Sequence, residues 1–224
     1  MARFVRVLIA VVVLFGWMAA TPALAPENRS SIEIAAYNTA KIVYTATYKT
    51  ITGNDVYDQG QGTGVLIAPD KVLTCHHLVS SYLAGTFVIA ITDGQRAQVR
   101  KNEQVTIIKH NATNDLLLLQ VSPAFEETGI KVAGKMPRFG EPILFTGYTV
   151  LPVSSLRFSQ LNENARGIML FPVYKGDSGG GVFNKEGELI GVINVVLYLK
   201  DGGVMFPTFI GYAMPLEIIQ EFLK

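Results

Sequence analysis

Cysteine is almost absent. Cys75 stands alone among 224 residues, so no disulfide can form within the chain. Small exported domains often depend on such bridges, so this chain must be held together by its apolar core, which roughly 200 residues can supply. Lys and Arg form no clusters, and their total of 19 nearly matches the 18 Asp and Glu. Nucleic-acid binders carry a basic patch, so nucleic acid is not an expected partner. Histidine is scarce as well: His76, His77 and His110 are the only three. One cysteine beside two adjacent histidines has no recognised metal-ligand spacing, and neither a metal nor an organic cofactor is expected. Gly60-x-Gly62-x-Gly64 lacks the Lys-Ser/Thr of a phosphate loop and reads as a flexible approach to a strand.

The amino terminus has the layout of an export signal. Arg3 and Arg6 precede an apolar run from Val7 to Ala20, and small residues follow up to Ala25. Residues 1–25 are expected to be a cleaved signal peptide. The alternative is a retained membrane tether through residues 7–25, because the uncharged stretch is about long enough to span a bilayer. Both readings put the rest of the chain outside the cytoplasm, either exported (periplasmic or extracellular) or anchored.

Beyond the leader, Ser30-Ser31-Ile32-Glu33 has the form of a capping box and predicts a short helix to about Thr39. The remainder is β in character. Ile42, Tyr44, Ala46 and Tyr48 alternate with Val43, Thr45 and Thr47, as in a strand. Further strands are predicted over 64–67, 72–74, 86–92, 95–101, 104–110 and 116–121. Turns are expected at Thr52-Gly53-Asn54-Asp55, Asp58-Gln59-Gly60-Gln61-Gly62, Pro69-Asp70 and Asp93-Gly94. Residues 122–138 break the pattern and read as a connection. A second set of strands follows over 143–149, 155–161, 167–171, 181–184, 189–196 and 211–214, and a helix over 216–224. The expected fold is all-β, with two six-stranded antiparallel barrels over 32–128 and 129–224, a short N-terminal helix and a C-terminal helix.

The chemistry is suggested first by Gly176-Asp177-Ser178-Gly179-Gly180-Gly181. Serine is a weak nucleophile until a base takes its proton, and an acyl-transfer intermediate needs backbone N–H donors aimed at its oxyanion. Glycines around Ser178 allow a tight backbone that aims the N–H groups of Gly176 and Ser178 into one hole. The base must be a histidine. His76 and His77 follow a strand-turn-strand segment, whereas His110 is expected in a solvated polar loop. Asp115 opens the run Leu116-Leu117-Leu118-Leu119, an expensive place for an unpaired charge. That cost is offset if its carboxylate orients the imidazole. Cys75 reads as a small buried hydrophobe.

These segments resemble a known family. Thr74-Cys75-His76-His77-Leu78-Val79, Asn114-Asp115-Leu116-Leu117-Leu118 and Gly176-Asp177-Ser178-Gly179-Gly180 stand in the His…Asp…Ser order of chymotrypsin-like serine peptidases. The likeness is closest to the HtrA-type bacterial branch, whose Leu-Thr-x-x-His-Val pattern selects His77 over His76. Residues 139–148, Gly187-Glu188-Leu189-Ile190-Gly191-Val192 and Gly211-Tyr212-Ala213-Met214-Pro215 resemble its second barrel. The stretch 150–167 has no match, and no PDZ domain is expected after the last helix. Asp177 departs from the branch, which commonly has Asn there, and nothing in the sequence names its counter-charge.

The resemblance implies a serine endopeptidase with His77, Asp115 and Ser178 as catalytic triad, an oxyanion hole of the Gly176 and Ser178 N–H groups, and a polypeptide substrate. It also implies a primary pocket built from Pro172, Val173, Tyr174, Asn194 and Val196. With Pro172 where trypsin-like enzymes carry an aspartate, that pocket is expected to prefer small or medium apolar residues. A self-processing protease and a non-catalytic binding module on the same fold are the alternatives.

Overall fold

The computed structural model describes residues 29–49, 52–79, 86–92, 97–148, 155–164, 167–201 and 204–224. The predicted leader and the Asp93-Gly94 turn lie outside the described residues. Helix α1 (Ser31–Tyr37) opens on the predicted capping box. The Glu33 N–H donates to Ser30 Oγ at 3.3 Å, and the Ser30 N–H donates to Glu33 Oε2 at 2.9 Å. The helix stops two residues short of the expected end because Thr39 already belongs to a strand.

The strands are β1 (Thr39–Lys49), β2 (Asp55–Ala68), β3 (Lys71–Thr74), β4 (Thr86–Thr92), β5 (Ala97–Lys101), β6 (Val105–Asn111), β7 (Leu116–Val121), β8 (Pro142–Gly147), β9 (Ser155–Gln160), β10 (Glu163–Asn164), β11 (Gly167–Leu170), β12 (Gly181–Phe183), β13 (Leu189–Asp201) and β14 (Val204–Pro215), and helix α2 (Leu216–Leu223) follows. They form two antiparallel sheets of seven strands, in the orders β5-β4-β1-β2-β3-β7-β6 and β10-β11-β14-β13-β12-β8-β9. The architecture is the expected mostly-β pair of curled sheets, with seven strands in each instead of six.

Two expectations are corrected. Residues 58–62 are not a turn: β2 runs through them, and Asp58 to Gly62 pair with Ala46 to Ile42 of β1. His110 lies in β6 opposite Leu117, not in a loop. The hairpin of β13 and β14 also reaches much further than the predicted strands, pairing as far as Asp201 with Val204.

Burial follows the strand period. Ile42, Tyr44 and Ala46 of β1 are buried with Leu117, Leu119 and Phe87 inside the first sheet. Leu116 and Leu118 face the other way, into a cluster that joins Val65 and Leu73 to Phe183, Leu189 and Val192 of the second sheet and to Ile219 and Phe222 of α2. Side chains alternate across a strand, so four consecutive leucines mean that β7 is buried on both faces. A third cluster, including Ile143, Phe145, Leu170, Val173 and Ile193, fills the second sheet.

The connection between the sheets docks through Gly129, which has φ of +84° and would bring a Cβ within 2.5 Å of the Ala68 backbone nitrogen. Gly134 has open space around it. We therefore expect Gly129→Ala to lower stability by about 2–4 kcal/mol, through backbone strain and overpacking. Gly134→Ala should stay within about 0.5 kcal/mol of the parent. Urea unfolding midpoints compare the two directly, and equal midpoints would sink this account of the connection.

Candidate active site

His77 sits in a short 3₁₀ turn (His76–Val79) that follows β3, with Cys75 between strand and turn. The turn is anchored by its apolar end, where Leu78 and Val79 are buried. The imidazole is left accessible, with 45% of its side chain exposed. Asp115 lies in the turn between β6 and β7 with φ of +51°, a left-handed conformation that aspartate tolerates better than most residues. An Asx-type bond shapes this turn: the Asn114 N–H donates to Asn111 Oδ1 at 3.0 Å.

Three bonds tie the two elements together. His77 Nδ1 lies 2.6 Å from Asp115 Oδ2, the His77 N–H donates to Asp115 Oδ1 at 2.8 Å, and the His76 N–H donates to the Asp115 carbonyl at 3.2 Å. The carboxylate thus receives the ring and the backbone of the same residue. At 21% exposure it is half-buried, less enclosed than the apolar run suggested.

Ser178 comes from the other sheet, on the loop between β11 and β12, and that loop is held from outside by Thr63 of β2. The Thr63 N–H donates to the Ser178 carbonyl at 2.8 Å, and Thr63 Oγ1 donates to the Gly176 carbonyl at 2.8 Å. Thr63 Oγ1 also accepts the Tyr148 N–H at 2.7 Å, and its carbonyl accepts from Thr74 Oγ1 at 2.6 Å. From the second sheet, the Gly179 N–H donates to the Ile193 carbonyl at 2.7 Å, and the Ile193 N–H to the Gly180 carbonyl at 2.8 Å.

His77, Gly176 and Ser178 line one cleft of about 360 Å³, together with Gln59, Gly60, Gln61, Leu78 and Lys175. The β2 residues in this wall escaped the sequence reading, which took their glycines as a flexible approach. Their actual signal is close packing. A Cβ on Gly60 would fall 2.0 Å from the Leu78 carbonyl oxygen, and one on Gly62 would fall 2.7 Å from the Ser178 carbonyl oxygen. A larger groove of about 440 Å³ runs over the second sheet past Phe139, Met169, Phe171 and Ile210, and none of His77, Asp115 and Ser178 lines it.

The expected pocket residues are placed unevenly. Val173 is fully buried in the core of the second sheet. Pro172 and Asn194 are half-buried, and Asn194 Oδ1 is enclosed without a hydrogen-bond partner among the described residues. Tyr174 is exposed, with its ring 5.4 Å from that of Phe209. Val196 lies on β13 opposite Gly211, and its side chain is outside the described set.

Cys75 is fully buried, and its thiol lies 3.0 Å from the Ile193 carbonyl, to which it donates. Burial pushes the Cys75 thiol well above the usual range, and nearby Asp115 adds to the effect. Its sulfur, a His77 ring nitrogen and an Asp115 oxygen lie within 4.8 Å of one another, a spacing that could hold a metal ion. A thiol kept protonated is a poor metal ligand. His76 stacks on His110 at 5.4 Å, and burial, reinforced by His110, pulls its pKa down.

A family profile described as a trypsin-like peptidase domain matches residues 62–192. Among curated proteins, a probable serine protease do-like from Buchnera aphidicola is 30% identical over 175 residues, covering 71% of this chain and 34% of its own length. The periplasmic serine endoprotease DegP of Escherichia coli K12 gives the same identity and coverage. The chain therefore spans about a third of the length of the curated relatives it matches. Among solved structures, the HtrA-type protease AlgW with a decapeptide aligns with a TM-score of 0.66 at 16% identity, covering 89% of this chain and 66% of that one. The serine endoprotease from Yersinia pestis aligns with a TM-score of 0.63 at 19% identity, covering 86% and 64%. These structural likenesses carry the chymotrypsin-like fold. With the family profile spanning more than half of its length, the chain belongs to the trypsin-like peptidase domain family.

Proposed function

We propose that the chain is a serine endopeptidase working through His77, Asp115 and Ser178. The observation that carries this reading is the 2.6 Å contact between His77 Nδ1 and Asp115 Oδ2, with His77 lining the same cleft as Ser178. Ser178 Oγ attacks the scissile carbonyl while His77 Nε2 takes its proton, and the Nδ1–H donates to Asp115, which stabilises the imidazolium. The oxyanion that forms accepts hydrogen bonds from the N–H groups of Gly176 and Ser178. Collapse of the intermediate breaks the C–N bond, and the proton on His77 passes to the leaving amine. Water activated by the same histidine then hydrolyses the acyl-enzyme. The two catalytic halves are residues 32–128, with His77 and Asp115, and residues 129–224, with Ser178. We place them outside the cytoplasm, as the leader pattern and the periplasmic names of the relatives suggest.

The pocket beside Ser178 is proposed to run along Pro172, Tyr174, Asn194 and Val196, with Val173 buried in the core behind them, and to favour small or medium apolar residues. Asp177, the acid within the preceding segment, is already engaged by Arg157 Nη1 and Nη2 at 2.6 Å each, so it offers no free charge to a basic side chain. Burying an unpaired cation there would be costly.

Ser178→Ala and His77→Ala should each lower kcat for peptide hydrolysis by about four orders of magnitude or more. Ser178→Ala should also lose labelling by a fluorophosphonate probe, while His76→Ala keeps measurable turnover. Labelling that persists at another residue, or a larger loss from His76→Ala than from His77→Ala, contradicts the assignment. Repeated turnover of an added substrate separates this reading from a self-processing protease or a binding module. Profiling with a peptide library should find cleavage after Val, Ala or Leu and little after Arg, Lys or Trp. Dominant cleavage after Arg or Lys refutes the pocket and leaves the triad standing.

A further inference from the structure

We propose that Arg157 is a positioning residue for the oxyanion-binding backbone, fixing the loop of Gly176 and Ser178 through a two-pronged grip on the buried Asp177 carboxylate. This rests on the peptidase reading above and extends it to a residue in β9, within the stretch that no motif covered.

Asp177 separates the two proposed oxyanion donors, and its side chain has no exposed surface. Both carboxylate oxygens are taken. Arg157 Nη1 donates to Oδ2 and Nη2 to Oδ1, each at 2.6 Å, and Oδ2 also accepts the Tyr174 N–H at 2.7 Å. Arg157 Nη1 donates as well to the Pro172 carbonyl at 3.1 Å. A single guanidinium therefore pins the segment before Ser178 at two points, Pro172 and Asp177. The fork-to-fork geometry fixes orientation as well as distance.

The surroundings hold the guanidinium itself. Its Cζ lies 4.8 Å from the centre of the Phe145 ring and 5.5 Å from that of Tyr174, within cation–π reach of both. Arg157 pairs with Phe145 across β8 and β9. Gly147, two residues on in β8, leaves the space: a Cβ there would fall 2.1 Å from Asp177 Oδ1 and 3.0 Å from Arg157 Nη2. The carboxylate fills the gap that a side chain at 147 would occupy. With both oxygens engaged, the loop is set by groups inside the chain.

The test compares Arg157→Met, Arg157→Lys, Gly147→Ala and the uncharged pair Arg157→Met/Asp177→Asn with the parent, using Lys131→Met, which removes an exposed ion pair elsewhere, as control. Two readouts are taken. One is hydrogen exchange in peptides covering residues 171–181, where the Asp177 and Gly180 N–H groups close the turn onto Tyr174 and Asp177 carbonyls. The other is kcat and KM for a cleavable peptide. Arg157→Met should speed exchange in this segment at least tenfold and lower kcat about 100-fold, the loss typical of one displaced oxyanion donor, with KM within about threefold. Arg157→Lys should recover part of both, and Gly147→Ala should lower kcat with both charges still present. If Arg157→Met does not fold, the uncharged pair takes its place: it should regain thermal stability but neither slow exchange nor parental kcat. Parental exchange and kcat in any folded variant lacking Arg157 overturn the proposal. A parent protein that neither turns over peptide nor labels at Ser178 overturns the peptidase reading instead, and the exchange data then decide the role of Arg157.

Discussion

Thr63 is the point on which the two sheets depend. It belongs to β2, yet two of its polar groups reach the loop that carries Ser178, gripping the carbonyls of Gly176 and Ser178. Its hydroxyl accepts from Tyr148 at the end of β8, and its carbonyl is held by Thr74 at the end of β3, two residues before the histidine turn begins. One fully buried residue thus connects the strand leading to His77 with the loop bearing Ser178. Each bond is individually modest, but a buried polar group left without its partner is costly. Sliding one sheet against the other would strand several such groups at once. Bases and nucleophiles supplied by separate sheets need this kind of fixed seam, because positioning errors of about an ångström already slow a reaction steeply.

Close backbone packing is the second requirement at that seam, and it explains the glycines better than flexibility does. Gly179 has φ of +86° and would put a Cβ 1.9 Å from the Thr63 carbonyl oxygen, while Gly180 would put one 2.0 Å from that of Thr146. Gly60 and Gly62 meet the histidine turn and the serine loop from the β2 side in the same way. A run that looked like a turn in sequence is therefore a regular strand lacking side chains where other backbone must come close. Composition alone does not separate these cases, since glycine is favoured both where the chain bends and where it is crowded.

The residues proposed as the triad stand out in sequence for local physical reasons, glycines around Ser178 and an apolar run beyond Asp115, while the strand end before His76 and His77 leaves two candidates that only the family pattern separates. The alternation of Ile42, Tyr44 and Ala46, the capping box at Ser30 and the strand over the leucine run were legible for similar reasons, since local period and local hydrogen bonds set them, whereas the burial of that strand on both faces came only with the fold. The full length of the β13–β14 hairpin was not, because pairing that far lies in the register between strands and not in either strand's composition. Arg157 was invisible for a different reason. It is an ordinary arginine in a strand of mixed composition, and its partner is twenty residues away in sequence. Only the fold makes it the counter-charge that the acid before Ser178 required.

That pair also shows how electrostatics and packing combine here. A carboxylate with no exposed surface loses its hydration, and removing its partner typically costs about 3–5 kcal/mol because a charge is left buried alone. Such a pair is weak evidence for stability, since an apolar replacement of both partners can serve as well. Its value lies in direction. A guanidinium fork admits one relative orientation of the carboxylate, whereas an apolar contact admits many. Asp177 stands between the two groups proposed to receive the oxyanion, and its neighbours have little side chain of their own to hold them in place. An orientation imposed at Asp177 is therefore imposed on the peptide planes on either side. Apolar packing fixes where the second sheet sits; the buried ion pair, together with Thr63, fixes which way its loop faces.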